Sequence, residues 1–224
     1  MGMATTTEPD AGLGPLQLLT LARWLSPAFP TGGFAWSHGL EQAARDGTVR
    51  DAPTLEDWLN AVLRHGAGRT DAILIGAAHR AGEGDLRHLA DLASALAPSR
   101  ERRAEAAGQG AAFAGTLRAL HGWTIPDMPF PLVLGRAARL GGLPARPVAE
   151  VALQAFATTL VQAGQRLMPL GQTAAQGILL RLAPTCADVA GAVELGPDEI
   201  GSCAVAIDLC SMRHEVLEPR IFRS

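Results

Sequence analysis

Lysine and tyrosine are absent from the 224 residues, so all 19 basic residues are arginines. Without lysine there is no Schiff-base nucleophile and no phosphate-gripping lysine of a nucleotide-binding loop. Without tyrosine, no phenol is present to act as an acid. Aromatic residues make up only 4% of the chain, and the three cysteines, Cys186, Cys203 and Cys210, contain no C-x-x-C pair. No apolar run is long enough to span a bilayer. The N-terminal stretch lacks both a basic region and an apolar core, so it does not read as a secretory signal. No dense basic run is present and the net charge is −3, which argues against a nucleic-acid partner.

What is present fits one globular, cytoplasmic domain. Hydrophobic residues make up 48% of the chain and charged residues 18%. A chain of this length buries roughly 70% of its unfolded surface and needs no disulfide or metal to fold. The cysteines read as small, reduced core residues. If Cys203 and Cys210 share a helix, two turns separate them by about 10 Å, too far for a disulfide.

Apolar residues recur at helical spacing along the chain. Leu18, Leu21, Ala22 and Leu25 form one stripe, and Leu55, Trp58, Leu59 and Val62 form another behind a capping-box-like start at Pro53-Thr54. Asp85 and Ser99 are placed to cap two more helices, the second running to the neighbourhood of Leu120. A proline-rich break over 125–131 precedes a short helix that stops at Gly141-Gly142. Pro147 suits the first turn of the next helix, and Pro169 ends it. Separate helices are then expected over 171–182, from Thr185 to Gly196-Pro197, and from Asp198 onward. No strand pattern alternates convincingly. The expected fold is all-α: an irregular single-domain bundle of roughly eight to ten helices, with Ala- and Gly-rich faces allowing close approach. Residues 1–14 are expected to be a flexible N-terminus, 15–213 the helical domain, and 214–224 a docking tail.

Catalytic chemistry is scarce. The histidines (His38, His65, His79, His88, His121 and His214) never stand three or four residues apart, so no helix offers a paired metal site. Most are expected at the surface or at helix ends. Ala35-Trp36-Ser37-His38-Gly39 approximates the turn of a serine hydrolase nucleophile, but that turn requires a preceding strand. Pro27, Pro30, Gly32 and Gly33 forbid one here.

Two segments stand apart. In the first, a stiff loop carries Phe29, Phe34 and Trp36, followed by Ser37 and His38. It either plugs the core or presents a surface to a partner. The second is the chain end: Arg213, His214 and Glu215 lead into Arg220, Ile221, Phe222 and Arg223. A free tail tends to be polar and featureless. This one interleaves apolar residues with arginines, as a segment that docks on its own domain or on a partner would. Arg220 or Arg223 is expected to fix it through a forked bond to a carboxylate or to backbone carbonyls.

These segments also carry a resemblance. The stretch from Leu25 to Glu41 is similar to the N-terminal signature of the UreF family of urease accessory proteins. Ser99-Arg100-Glu101-Arg102-Arg103 with Gly110 resembles that family's arginine-rich helix, and Met168-Pro169-Leu170-Gly171-Gln172-Thr173 with Gln176 its proline-broken helix pair. Ser211 to Glu215 with Arg220 to Ser224 is similar to its ending. The four blocks keep the family's order from about Leu16 onward. Departures are Trp36 where the family often has Tyr, and Ala174 and Gly177 where it often has Asp and Arg.

The resemblance implies an all-α, non-enzymatic maturation factor of the nickel enzyme urease. It implies a homodimer that binds UreD (also called UreH), recruits the GTPase UreG to apo-urease and assists nickel insertion. Nickel would be cargo, with no cofactor held tightly. The expected partner-binding residues are Phe29, Phe34, Trp36, Ser37, His38, Arg213, His214, Glu215, Arg220, Ile221, Phe222 and Arg223. An arginine offered to UreG would be one device for acting on that GTPase. The alternative is a metallochaperone that binds nickel itself, through ligands such as His38, His214 and the cysteines.

Overall fold

The structure, a computed structural model, describes residues 13–201 and 204–224. Residues 1–12, most of the expected flexible N-terminus, and Cys203 lie outside the described residues. Those described form ten α-helices, three short 3-10 turns and no strand: α1 (Pro15–Trp24), α2 (Leu40–Arg45), α3 (Ala52–His65), α4 (Ala67–Arg80), α5 (Leu86–Ala95), α6 (Arg100–His121), α7 (Phe130–Leu140), α8 (Ala145–Leu167), α9 (Gln172–Ala190) and α10 (Val205–His214).

The all-α expectation holds, and several boundaries fall where the capping residues place them. Ser99 accepts the Arg102 N–H at 3.1 Å and opens α6, which runs through Leu120 to His121. For α3 the cap is Asp51 rather than the Pro53-Thr54 pair: Asp51 accepts the Thr54 N–H at 3.0 Å, and its own N–H reaches the Thr54 hydroxyl at 3.1 Å. The reciprocal pair satisfies two of the donors that a helix start leaves open.

Helix α4 occupies the centre and packs on α3, α5, α7, α8 and α9. Sequence periodicity does not reveal it, because Ala72 to Ala78 are all buried and no polar face alternates with an apolar one. Its neighbours come close because glycines stand at the crossings. A Cβ on Gly135 of α7 would sit 2.3 Å from the Ile75 carbonyl oxygen, and one on Gly76 would sit 2.0 Å from that of Val193. Close-approach faces are therefore built with Gly as well as Ala.

Two helix assignments change. Residues 172–190 form one helix with Pro184 inside it, where two helices were expected. Thr185 does not act as a cap: its hydroxyl donates to Asn60 of α3 at 2.9 Å and accepts from Arg64 at 3.1 Å. That tie, with Arg181 to Glu56 at 2.7 Å, holds both halves of α9 on α3, so tertiary packing overrides the proline break. The last helix begins at Val205, not Asp198. Glu199 instead turns back to accept the Gly196 N–H at 3.0 Å, closing a short 3-10 turn over Pro197–Glu199.

Candidate partner interface

The first unusual segment, between α1 and α2, turns one aromatic into the core and another to the surface. Phe29 points inward, with its ring centroid 4.9 Å from that of Phe113, in an aromatic cluster with Trp24 and Phe130. Phe34 points outward and is largely exposed. Between them Gly32 takes φ +72°, and the turn into α2 takes φ +60° at His38 and +77° at Gly39. A Cβ on Gly39 would stand 2.8 Å from the Ser211 N, so only glycine lets α10 lie against this turn.

The chain end packs on that turn. The Ser37 N–H donates to the main-chain oxygen of Ser224 at 2.7 Å, and the Ser37 hydroxyl donates to the same oxygen. The His38 N–H reaches the Ser224 hydroxyl at 3.2 Å, and the Arg223 N–H reaches the Ala35 oxygen at 2.9 Å. Phe222 is buried beneath the Arg166 guanidinium, 4.1 Å above its ring, and Arg166 in turn donates to the Phe34 oxygen at 3.0 Å.

A buried ionic cluster fastens the tail. His214, at the end of α10, has no exposed surface. Its Nδ1 lies 2.8 Å from Glu101 of α6 and its Nε2 3.2 Å from Glu41 of α2. Glu41 also accepts the N–H groups of Ile221 and Phe222 at 2.7 and 2.8 Å, and Glu101 accepts Arg220 Nη1 at 2.6 Å. A carboxylate thus stands at each ring nitrogen, so the imidazole is hydrogen-bonded on both sides. Hydrogen bonds from the imidazole, Arg220 and two backbone N–H groups give both buried carboxylates the partners that burial demands. Arg220 thus makes the expected carboxylate bond, but through a single N–H rather than a fork. Arg223 lies over the Trp36 ring at 6.0 Å.

The sequence-predicted residues therefore separate into two sets. Phe29, Ser37, His38, His214 and Phe222 are buried within the chain itself, while Phe34, Arg213, Arg220, Ile221 and Arg223 face outward. Trp36 and Glu215 are half-buried, and Glu215 accepts the Arg100 N–H at 2.7 Å. His38 is an exception to the expectation that most histidines lie at the surface or at helix ends, while His214 ends α10 but is fully buried there.

A cavity of about 560 Å³ opens beneath the loop, walled in part by Phe29, Phe130 and Phe156. Its polar side carries Asp71, Arg102, Glu105 and Gln109, residues that patterning alone did not single out. Arg102 and Glu105 form a buried ion pair, and Gln109 donates to Glu105 at 3.0 Å. Burial raises the Glu105 carboxyl above its ordinary range against the pull of Arg102, and raises Asp71 to about 7. Burial, with the Arg102 charge, holds His38 well below the usual histidine value, so it is neutral. Cys186 and Cys210 are free, and burial raises both thiols, Cys186 to about 11. They are protonated and unreactive at neutral pH.

Ser37, the candidate nucleophile, follows a 3-10 turn rather than a strand, and its hydroxyl is committed to Ser224. Among the described residues, no group of three or more His, Cys, Asp or Glu is placed to hold a metal ion. Nor is any helix among them long and apolar enough to cross a membrane. The described residues thus form an all-helical protein whose chain end is latched to the loop between its first two helices.

Comparison with known proteins gives the family. A profile described as UreF matches residues 49–183. The chain is 52% identical over 208 residues to the urease accessory protein UreF of Cereibacter sphaeroides, covering 92% of this chain and 98% of that protein. It is 42% identical over 207 residues to that of Roseobacter denitrificans (92% and 93% covered), and 41% identical over 224 residues to that of Ruegeria pomeroyi (99% and 100%). The chain belongs to the UreF family of non-catalytic urease accessory proteins, which act in urease maturation.

Proposed function

We propose that the chain is a cytoplasmic scaffold that, as a homodimer, binds UreD/UreH and through it recruits the GTPase UreG to apo-urease, assisting delivery of nickel. Nickel passes through the assembly as cargo. The face turned to UreD is built from α10, the tail and the outer side of the Phe34 loop.

One observation carries this reading. Val205, Leu209, Met212 and Val216 follow one another at spacings of four, three and four residues, and all are exposed, as are Ile221 and Phe34. Val205, Leu209 and Met212 share one side of α10, and Val216 follows just past its end. A row of large apolar side chains left in water on an ordered surface marks a protein-binding site. Arg213 on α10 and Arg220 in the tail are also exposed, and Arg45 donates to the Glu218 oxygen of the tail at 3.1 Å; apolar residues accompanied by arginines are the composition of an interface.

Deleting residues 215–224 is expected to abolish co-purification with UreD while leaving helical circular dichroism intact. Retained binding contradicts the assignment. The rival metallochaperone reading is tested by equilibrium dialysis against Ni²⁺ at neutral pH, where the scaffold reading expects no tight stoichiometric uptake.

A further inference from the structure

A second cleft, about 500 Å³ and remote from the tail, lies where the end of α6, the 122–126 connection, the start of α5 and α7 meet. Its lining includes Arg118, Arg136, Glu83, Leu86, Trp123 and Thr124. Arg136 is only 8% exposed, and its Nε is buried with no hydrogen-bond partner. Among the described residues its ion pair is from Nη2 to Glu83 at 3.2 Å, and the Glu83 side chain is 82% exposed. A buried guanidinium is ordinarily met on most of its N–H groups. Here one loosely held carboxylate faces it.

Arg118 adds a second cation. Its Nη1 is committed to the Ile125 oxygen at 2.6 Å and to Asp127 at 2.9 Å. Asp127 is largely exposed and is not part of the lining. The lining thus holds two guanidinium groups and a single carboxylate. Leu86, also in the lining, opens α5, whose N-cap Asp85 makes no side-chain cap bond.

We infer that this cleft binds a small oxyanion, of the carboxylate or phosphate class, which meets Arg136 and Arg118 and displaces Glu83 toward solvent. Guanidinium groups match both anions through paired N–H donors. Trp123 forms the apolar wall, held by the His121 ring stacked on it at 4.4 Å.

The test follows the arginine Nε–H signals of the full chain by NMR during titration with inorganic phosphate and, separately, acetate, at constant ionic strength set with chloride. The Arg136 signal, assigned from its loss in Arg136→Lys, is expected to move saturably with at least one of the two anions. The tighter-binding anion identifies the source. Glu83→Gln removes the competing carboxylate from an exposed position and is expected to tighten binding severalfold. Arg118→Gln is expected to weaken it about tenfold, the effect of losing one charge-assisted contact. The inference is overturned if the Arg136 signal does not respond, or responds equally to added chloride. It is also overturned if Glu83→Gln leaves the affinity unchanged or weaker.

Discussion

His214 Nδ1 stands 2.8 Å from the Glu101 carboxylate, 113 residues away in sequence, and this contact joins the end of the last helix to the arginine-rich helix. Glu41 closes the other side of the ring at 3.2 Å. The same two carboxylates receive Ile221, Phe222 and Arg220, so His214 and the tail depend on one set of acceptors.

Replacing His214 by Leu leaves Glu41 and Glu101 without the ring that both of them hold. Breaking a buried pair in this way costs about 3–5 kcal/mol. Part of that cost is relieved by letting the tail go and water enter. Limited trypsin digestion followed by mass spectrometry is expected to show faster cleavage after Arg220 and Arg223 in His214→Leu than in the parent, with helical content preserved.

Phe222 is the tail's apolar anchor, and truncating a buried Phe typically costs about 3–5 kcal/mol. In Phe222→Ala, hydrogen exchange at the Ser37 amide, which donates to Ser224 at 2.7 Å, is expected to accelerate by at least tenfold. Arg223→Ala removes an exposed side chain 6.0 Å above Trp36 and is expected to leave that amide nearly unchanged.

Much of the fold was legible in the sequence because surface helices announce themselves. Ser99 as a cap, the Gly141-Gly142 stop and the stripe of Leu55, Trp58, Leu59 and Val62 are local signals that the structure keeps. Helix α4 gives no such signal, since it is buried all round, and Thr185 gives a false one, since its hydroxyl is tied to Asn60 and Arg64 of α3 instead of opening a new helix. For the interface, composition marked the loop and tail as segments that dock. It did not reveal that Glu41 and Glu101 are the acceptors, because their meeting with His214 spans most of the chain. Asp71 was equally hidden: an ordinary acid in the sequence, it acquires its character from the cavity that surrounds it.

Asp71 gives a pH signature. Its carboxyl is raised from 3.8 to about 7 by burial, so between those values the unfolded chain releases a proton that the folded chain retains. The contribution of this group to stability therefore falls as pH rises through that window and is constant above it. Asp71→Asn is expected to be more stable than the parent at pH 8, with the advantage shrinking toward pH 4. Urea denaturation midpoints of the two proteins at several pH values check this, and a pH-independent difference contradicts it.

Close packing at glycine gives a further prediction. Gly76→Ala places a methyl 2.0 Å from the Val193 oxygen, and Gly135→Ala places one 2.3 Å from that of Ile75. Backbone cannot yield as a flexible side chain does, so each is expected to destabilise by about 1–3 kcal/mol. That corresponds to a melting temperature lower by several degrees in a calorimetric scan. Gly84→Ala, with open space around the new methyl, is the control and is expected to leave the midpoint nearly unchanged.

In the proposed complex the latched tail and α10 together present the apolar row to UreD. This arrangement is tested most directly by co-expression with UreD and UreG, followed by size-exclusion chromatography with light scattering. Met212→Asp places a charge in the row without touching the His214 cluster. Leu180→Asp does the same on α9, which carries none of the row. The account predicts a complex with two copies of this chain for the parent and for Leu180→Asp, and none for Met212→Asp. A complex that forms equally well with Met212→Asp, or a parent chain that elutes alone, contradicts it.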